Sequence, residues 1–410
     1  MQSKGKDKKP HIGIFGRRNN GKSSLINALT GQDVAIISDV AGTTTDPVKR
    51  SVEIKGIGPA IVIDTAGIDD RGELGEQRIR KSLNTIKQVD LAILVLADNI
   101  FDSSEDDLIR EFDKIDLPYL ILHNKTDLTP LRDTFKEKVE KRTRKVIIEY
   151  AATQPEKYNS GLLERIREEM PRTLYKINGL IGDLVTYGDI VLLITPIDIE
   201  APEGRLILPQ VQVIRDILDN DCTAIVLKER EVDTFLRKTA IKPKLVITDS
   251  QVFPKADASI PRDIPLTSFS IILGRQKGDF PEYIKGAPRI SELRDGDRVL
   301  LLESCSHQVS CDDIGRVKIP RWISNFTGKK LDFDTVPGLD ELPRPIEDYS
   351  LVIQCGGCMV THRQLLNRLR EAKAKKIPIT NYGMAIAYVH GIFNRAVEPF
   401  LGVTNEGDVL

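Results

Sequence analysis

The sequence predicts an α/β protein, with a phosphate-loop domain followed by two smaller α/β domains. The first observation is the length of 410 residues, which suggests about three domains that each bury a core. The second is a complete phosphate-binding loop directly after the first apolar strand. The third is the alternation of apolar strands with helical patterns along the rest of the chain. We expect domains at residues 1–172, 180–265 and 266–410.

The charges of the chain nearly cancel, with 59 basic residues, 60 acidic residues and a formal net charge of −1. No overall field therefore favours nucleic acid or an anionic membrane, and 5% aromatic residues make a weak stacking platform for bases. No apolar run approaches the roughly 20 residues of a membrane span, and the N-terminus has no signal-peptide core. Five cysteines are an odd, low number that favours reduced thiols. We expect a soluble cytoplasmic protein without nucleic-acid or membrane partners.

The phosphate loop, G-R-R-N-N-G-K-S, lies between an apolar strand and a helix. Its backbone N–H groups are suited to cradle phosphates, and Gly16 and Gly21 are expected to belong to the nucleotide site. We expect Lys22 to reach the β- and γ-phosphates and the Ser23 hydroxyl to bind Mg²⁺. Ser24 is also expected to contribute to the nucleotide site.

A second apolar strand ends in D-T-A-G, in the order and spacing of a GTPase. Asp64 is expected to hold Mg²⁺ through water, and the Gly67 N–H to meet the γ-phosphate. The next residue, Ile68, stands where Ras-like GTPases have a glutamine that orients the attacking water. An isoleucine cannot position water, so we expect slow intrinsic hydrolysis.

The motif N-K-T-D predicts which purine is bound. The carboxylate of Asp127 can accept two hydrogen bonds, from the N1–H and the exocyclic amine of guanine, whereas adenine offers no such donor pair. Asn124 and Lys125 are expected to brace the base and the phosphate loop. Ala152 resembles a residue of the short base-contacting loop of GTPases, although the usual serine is missing. The motif therefore predicts GTP and GDP as ligands.

The polar stretch A-G-T-T-T-D-P at residues 41–47 suits a mobile switch that closes over the γ-phosphate. It resembles the G-T-T-x-D segment of bacterial GTPases related to ribosome assembly and tRNA modification. That resemblance implies that Thr44 binds Mg²⁺ and that Asn19 coordinates an activating K⁺. We expect hydrolysis that K⁺ accelerates and Na⁺ does not.

The middle domain reads as a small βαβαβ unit without a phosphate loop. Short units of this kind leave sheet edges uncovered, and association into a two-fold dimer is one remedy. Asp198 follows the carboxyl end of a strand; it is either a solvated loop residue or an oxygen ligand to a metal. Cys222 opens an apolar strand and is expected to be a core thiol.

The last domain carries the thiols that suggest a metal site. Cys355 and Cys358 form C-G-G-C between an apolar strand and a helical pattern, and the helix N-terminus is expected to lower the thiol pKa. Cys305 and His307 follow another apolar strand. If both strands lie in one parallel sheet, the loops at their carboxyl ends converge. A further strand is expected at residues 268–273.

These ligand types are compatible with two kinds of metal site. Three thiolates with one vacant position suit an iron-sulfur cluster that binds something else, whereas three thiolates plus His307 also describe structural zinc. The fourth ligand is therefore His307, Asp198 or a molecule from outside the chain.

GTPase motifs followed by C-x-H and, about fifty residues later, C-G-G-C resemble the HydF family of FeFe-hydrogenase maturation GTPases. The likeness extends to G-R-L-I-L-P-Q at residues 204–210 and to the N-Y-G turn at 381–383. The family has a histidine immediately before the first cysteine of C-x-x-C, where this chain has Gln354.

The resemblance implies that Cys305, Cys355 and Cys358 hold a 4Fe-4S cluster and that the protein carries the di-iron precursor of the hydrogenase active site. Two radical-SAM maturases would help to build the precursor, and apo FeFe-hydrogenase would receive it. It also implies a homodimer formed through the middle domain. The alternative is a GTPase acting on ribosome or tRNA with a structural zinc site, against which the near-neutral charge and scarce aromatics count.

Overall fold

The computed structural model describes residues 9–30, 48–54, 57–68, 83–170, 179–196, 206–304 and 313–401. The chain divides into two compact units, Met1–Ile177 and Asn178–Leu410. Each unit has its own core and is described by itself.

The first unit is an α/β layer structure around a six-stranded sheet of order β2-β3-β1-β4-β5-β6. β2 is antiparallel to β3, and the other neighbours are parallel. Its elements are β1 (His11–Gly16), α1 (Lys22–Thr30), β2 (Val48–Ile54), β3 (Gly58–Asp64), β4 (Leu91–Leu96), α2 (Ser103–Lys114), β5 (Tyr119–His123), α3 (Asp133–Thr143), β6 (Ile147–Glu149) and α4 (Pro155–Glu169).

Successive side chains of the central strands pack on opposite faces of this sheet. Ile14 of β1 joins a core with α1 and α4, whereas its neighbour Phe15 joins a second core with Phe112 of α2. β4 is buried along its whole length, as expected of a parallel strand covered by helices on both faces. This arrangement places the carboxyl ends of β1, β3 and β4 around the phosphate loop.

The second unit contains two four-stranded parallel sheets, of order β10-β9-β7-β8 and β12-β11-β13-β14. One continuous apolar core includes residues from both sheets. Its elements are β7 (Ile190–Ile194), α5 (Leu208–Asp219), β8 (Thr223–Leu227), α6 (Val232–Thr239), β9 (Leu245–Thr248), α7 (Phe253–Ser259), β10 (Leu266–Ser268), α8 (Phe269–Lys277), α9 (Phe280–Gly286), β11 (Arg298–Leu302), α10 (Ile319–Thr327), β12 (Asp332–Val336), β13 (Leu351–Gln354), α11 (His362–Ala374), β14 (Ile379–Asn381), α12 (Tyr382–Val389) and α13 (Phe393–Leu401).

The two strands that precede the cysteines are neighbours in one parallel sheet, which is the condition on which the expected convergence of their loops depends. β11 and β13 pair in parallel, with Leu302 opposite Gln354. The residues that follow these strands therefore leave the same edge of one sheet. The α/β fold class is confirmed.

The expectation of a strand at residues 268–273 is wrong. Only Leu266–Ser268 is a strand, and a helix begins at Phe269, capped by the Ser268 hydroxyl, which accepts a hydrogen bond from the Ile271 N–H at 3.3 Å. β10 pairs with β9, so the first sheet of this unit extends past residue 265. Where the second domain ends and the third begins stays a prediction.

Within the ranges given above, none of the helices combines the length and the apolar character that crossing a bilayer requires.

Candidate functional site

The phosphate loop has two positions that only glycine fits. Gly16 has φ +142°, and a Cβ there would lie 2.3 Å from the Val95 carbonyl oxygen of β4. Gly21 has φ +85°, and its Cβ would lie 2.4 Å from Asn124 Nδ2. Both backbone conformations are costly for residues with a side chain, and a side chain at either position would also collide with its neighbours. The loop therefore needs these two glycines for its shape.

Lys22 and Ser23 begin α1, directly after the phosphate loop, and Asp64 ends β3. Lys22 is 9% exposed, and its Nζ donates to the carbonyl oxygens of Gly16 at 3.0 Å and Arg17 at 2.8 Å. The Ser23 hydroxyl donates to Asp64 Oδ2 at 2.7 Å. The hydroxyl and the carboxylate expected to serve Mg²⁺ are thus in direct contact at the carboxyl ends of β1 and β3. The next residue, Ser24, is exposed.

Asn124 connects the base-binding loops to the phosphate loop. Its Nδ2 donates to the Asn20 carbonyl oxygen at 2.9 Å, and its Oδ1 accepts from the Ala152 N–H at 3.3 Å. Asp127 is exposed and accepts a hydrogen bond from the Thr153 hydroxyl at 2.7 Å. The structure brings the N-K-T-D motif and the Ala152 loop together, as expected for a purine site.

The residues around the γ-phosphate position are only partly described. Asn19 is exposed with φ +64°, a left-handed conformation that asparagine tolerates. Gly67 is buried, and Ile68 is 8% exposed and packs in the core that contains Phe15. Thr44 and the rest of the expected switch lie outside the described residues.

Sequence reasoning missed the partners of Arg17 in the phosphate loop. Its guanidinium bonds Glu105, which is fully buried, with Nε–Oε1 at 2.6 Å, and also pairs with Asp102. The hydrogen bond to Glu105 is the main reason that the pKa of Arg17 is raised. The loop is therefore tied to the first turn of α2. No motif or spacing in the sequence signals this pairing.

The C-G-G-C loop joins β13 to α11, as the sequence predicts. Gly357 has φ +74°, and the Thr361 side chain caps α11. Cys355 and Cys358 are both partly buried. The Cys355 N–H donates to the Leu302 carbonyl oxygen of β11 at 2.9 Å, which joins the loop to the end of the neighbouring strand.

Cys355 contacts the segment that leads to Cys305. Its thiol lies 2.8 Å from the Ser304 hydroxyl, and the Gln354 amide donates to Ser304 Oγ at 3.1 Å and approaches Cys355 Sγ at 3.7 Å. Gln354 is fully buried, and its Oε1 has no hydrogen-bond partner among the residues that the structure describes. Ser304 immediately precedes Cys305 in the chain. The convergence predicted for the two strand ends thus extends to the last described residue before the third thiol.

The expected lowering of the thiol pKa is wrong for Cys355. Burial raises the pKa of this thiol, and hydrogen bonds with Ser304 and the Gly357 N–H oppose the effect only in part. The cause is the apolar surroundings of the strand end, which favour the neutral thiol.

A cavity of about 180 Å³ lies beside the C-G-G-C loop. Cys355, Gly356 and Cys358 form part of its wall, and Tyr382 at the start of α12 forms another part. Four further segments contribute polar residues to the lining: Asp249, Ser250, Ser270, Glu303 and Asp313. Residues from the carboxyl ends of β9, β11, β13 and β14 therefore meet at one cavity, where parallel sheets commonly bind ligands.

The described residues contain no group of three His, Cys, Asp or Glu side chains arranged to hold a metal. Two of the three predicted thiols are placed on one loop. Cys305, His307 and Asp198 lie outside the described residues, so their roles stay predictions.

Two cations hold the thiol-bearing segments, and neither was anticipated. Arg368 of α11 donates to the carbonyl oxygens of Glu303 at 2.7 Å and Val336 at 3.0 Å. Burial lowers the pKa of Arg368. Lys277, only 3% exposed, donates to carbonyl oxygens of the C-G-G-C loop. Charged residues are usually solvated, so no sequence signal distinguishes these two.

Three family models match the chain. The hydrogen maturase F dimerization domain matches residues 180–278, the hydrogen maturase F tetramerization domain matches 281–399, and the 50S ribosome-binding GTPase model matches 11–125.

Individual relatives resemble the first unit. The tRNA modification GTPase MnmE of Nitrosomonas europaea is 44% identical over 120 residues, 28% of this chain and 26% of that protein. GTPase Der of Wolinella succinogenes is 39% identical over 137 residues, 32% of this chain and 28% of that protein. The chain thus spans about a quarter of the length of these curated relatives.

Solved structures give weaker likenesses. The G domain of the T. maritima FeoB iron transporter has a TM-score of 0.31 at 20% identity, covering 39% of this chain and 98% of that one. A variant of Aquifex aeolicus Era bound to GDP and aluminium fluoride has a TM-score of 0.34 at 18% identity, covering 56% and 98%.

The phosphate loop, the contact between Ser23 and Asp64 and the N-K-T-D motif belong to a P-loop GTPase domain, and this domain is followed by an α/β unit that carries two thiols on one loop. Both models specific to hydrogen maturase F match that second unit in adjoining segments. The chain belongs to the HydF family of hydrogenase maturation GTPases. This confirms the resemblance drawn from the motifs.

Proposed function

We propose that this protein is a GTP-hydrolysing scaffold that holds a 4Fe-4S cluster, binds the di-iron precursor of the hydrogenase active site and transfers it to apo FeFe-hydrogenase. Radical-SAM maturases would help to build the precursor. The observation that carries the proposal is the placement of Cys355 and Cys358 on the wall of a cavity, with the segment before Cys305 in contact with Cys355.

The donor chemistry supports a cluster. Thiolates are the usual ligands of 4Fe-4S clusters, and Cys355, Cys358 and Cys305 would supply three. The cavity beside the loop leaves space on the side of the fourth position. When bound, the cluster would supply an iron that exchanges its outer ligand, which suits a protein that must both hold and release its cargo.

Replacing each thiol tests the cluster assignment. After anaerobic reconstitution, the unmodified chain should be brown and contain about four irons and four sulfides per monomer. Cys355→Ser, Cys358→Ser and Cys305→Ser should each lose the cluster while hydrolysing GTP normally. Cys222→Ser is the matched control, since this buried thiol donates to the Thr186 carbonyl oxygen, away from the C-G-G-C loop.

Two results would overturn the proposal. One is an iron content that does not change in any of the three variants. The other is a colourless protein with one zinc per chain, which would favour the alternative of a ribosome- or tRNA-associated GTPase with a structural zinc site. Transfer is tested separately, by activation of apo-hydrogenase with the loaded protein.

The nucleotide site is proposed to require Mg²⁺ and to be stimulated by K⁺. The contact between Ser23 and Asp64 supports Mg²⁺ binding, with Thr44 as a further ligand. Asn19 is proposed to coordinate K⁺. GTP hydrolysis should be faster in KCl than in NaCl at equal concentration, and Asn19→Ala should remove the difference. Equal rates of the unmodified protein in both salts would refute the role of K⁺.

We also propose a homodimer formed through β8. Among the described strands of its sheet, β8 lies at the edge, and Val226 on it is 41% exposed. On the adjacent α5, Val211 and Leu218 are 45% and 57% exposed. An open strand edge beside apolar side chains favours pairing with a second copy. Val226→Lys should yield monomers in light scattering, whereas Val146→Lys, at a site of the first unit that is 61% exposed, should not.

The protein is proposed to act in the cytoplasm without nucleic-acid or membrane partners, in line with its near-zero net charge.

A further inference from the structure

Lys277 is a charged residue buried behind the C-G-G-C loop. It ends α8, and its side chain is only 3% exposed. Its Nζ donates to the carbonyl oxygens of Gly357 at 2.6 Å, Val360 at 3.0 Å and Cys358 at 3.3 Å. One ammonium group thus binds the carbonyl oxygens of three of the four consecutive residues 357–360.

A second contact fixes the same region. The backbone carbonyl oxygen of Lys277 lies 2.8 Å from His362 Nδ1, at the first residue of α11. The loop and the start of the helix that follows it are therefore both tied to the end of α8. Lys277 lies in the segment that the dimerization-domain model matches, whereas the C-G-G-C loop lies in the segment that the tetramerization-domain model matches.

Burial of an ammonium is costly, and the three carbonyl groups offset part of that cost through their partial charges. Thiolates and a cluster on the other side of the loop would supply full negative charge. Lys277 does not line the cavity, so it is placed to act through the loop and not to contact a ligand in the cavity.

We infer that Lys277 is a positioning residue of the thiol site, which orders the C-G-G-C loop for cluster binding and places a positive charge behind the cluster. This inference rests on the proposed function only where it concerns the cluster. The ordering of the loop is a property of the chain by itself.

The positive charge of Lys277 should also affect the midpoint potential of the cluster, separately from its effect on the order of the loop. A cluster becomes more negative when it gains an electron, and a nearby buried cation stabilises that reduced state. Removing the cation should lower the midpoint potential of the cluster. A residue with a purely structural role would leave the potential unchanged.

Lys277→Met tests both effects, because methionine keeps a similar stem and lacks the charge and the donors. Lys285→Met on α9 is the control, since Lys285 is exposed and pairs with Glu282 at the surface. Lys277→Gln, which keeps an N–H donor without the charge, is the second variant if the methionine form does not fold. Fluorescence of Trp322 and circular dichroism report folding.

The first measurement is amide hydrogen exchange in the cluster-free protein. The N–H groups of Cys355, Val360 and Thr361 are bonded within or beside the loop. They should exchange about tenfold faster in Lys277→Met, since hydrogen bonds to a charged group are lost. Exchange equal to that of Lys285→Met would overturn the inference.

The second measurement uses the reconstituted protein. Loss of iron to a chelator should be about 10- to 100-fold faster in Lys277→Met, the range typical of groups that orient metal ligands. The midpoint potential, followed by electron paramagnetic resonance, should fall in both Lys277 variants. Faster exchange with unchanged iron loss and potential would refute the role at the cluster. If the unmodified chain holds no cluster while the exchange effect is present, the proposed function fails and the ordering role stands.

Discussion

Gly357→Ala should damage the thiol loop, whereas Gly356→Ala should be tolerated. The two glycines are adjacent in C-G-G-C but meet different surroundings. Gly357 has φ +74°, and a Cβ on it would lie 2.5 Å from Leu365 Cδ1. Gly356 does not have a positive φ, and a Cβ on it would find Leu273 at 3.5 Å, an ordinary contact distance.

The expected cost follows from two contributions. A side chain in the left-handed conformation costs about 1–2 kcal/mol, and displacing the fully buried Leu365 costs about 1–3 kcal/mol as overpacking. Gly357→Ala should therefore lower the free energy of unfolding by about 2–5 kcal/mol. Gly356→Ala should change it by less than about 1 kcal/mol, because removing a glycine also restricts the unfolded chain.

The single tryptophan of the chain makes the second unit measurable by itself. Trp322 lies in α10, so its fluorescence during urea unfolding reports on residues 178–410 and not on the GTPase domain. The midpoint should shift to lower urea for Gly357→Ala only. Iron retained after reconstitution should fall in the same variant. Equal midpoints and equal iron contents for the two alanine variants would refute the reasoning.

Three further predictions concern the GTPase domain. Lys22→Ala should abolish GTP hydrolysis and leave the iron content unchanged; loss of both in a kinetic and iron assay would contradict separate sites. Arg17→Ala should destabilise the first unit by about 3–5 kcal/mol in denaturant unfolding, because the buried Glu105 carboxylate loses its paired cation and keeps the hydrogen bond from the Asp102 N–H. Exposed Arg18→Ala should have little effect. Burial raises the pKa of Tyr150 to about 12 in the folded protein, whereas the phenol of the unfolded chain keeps its ordinary value of about 10. As the pH rises, the unfolded chain therefore loses the phenol proton before the folded protein does, and the free energy of unfolding should decline between pH 10 and 12. Tyr150→Phe should remove that part of the decline, measured by urea midpoints across this range; an unchanged decline would argue against burial as the cause.

Continuous apolar runs made most strands predictable. The sequence predicted a strand at 298–302, and β11 has these bounds; the strand predicted at 349–353 appears as Leu351–Gln354. Parallel strands buried on both faces need such runs, so the signal is strong. The GTPase motifs were predictable for a different reason, because each requires particular atoms at fixed spacing.

The same signal failed at α8. Phe269-Ser270-Ile271-Ile272-Leu273 is an apolar run of strand length, yet it is helical. Most of its residues are buried in the shared core, so no polar face reveals a helical period. The cap by Ser268 decides the outcome locally, and a serine before an apolar run is too common to predict it. The buried cations Lys277 and Arg368 were likewise unpredictable, because their burial depends on tertiary packing.

The pairing of β11 with β13 limits where residues can be inserted or deleted in this part of the chain. Leu302 and Gln354 face each other, so Glu303 and Cys355 emerge side by side. Inserting one residue within either strand would turn its following side chains to the opposite face of the sheet and carry a thiol away from the cavity. Insertions are therefore best placed in exposed connections such as the segment between α10 and β12, where added length leaves the strand register intact.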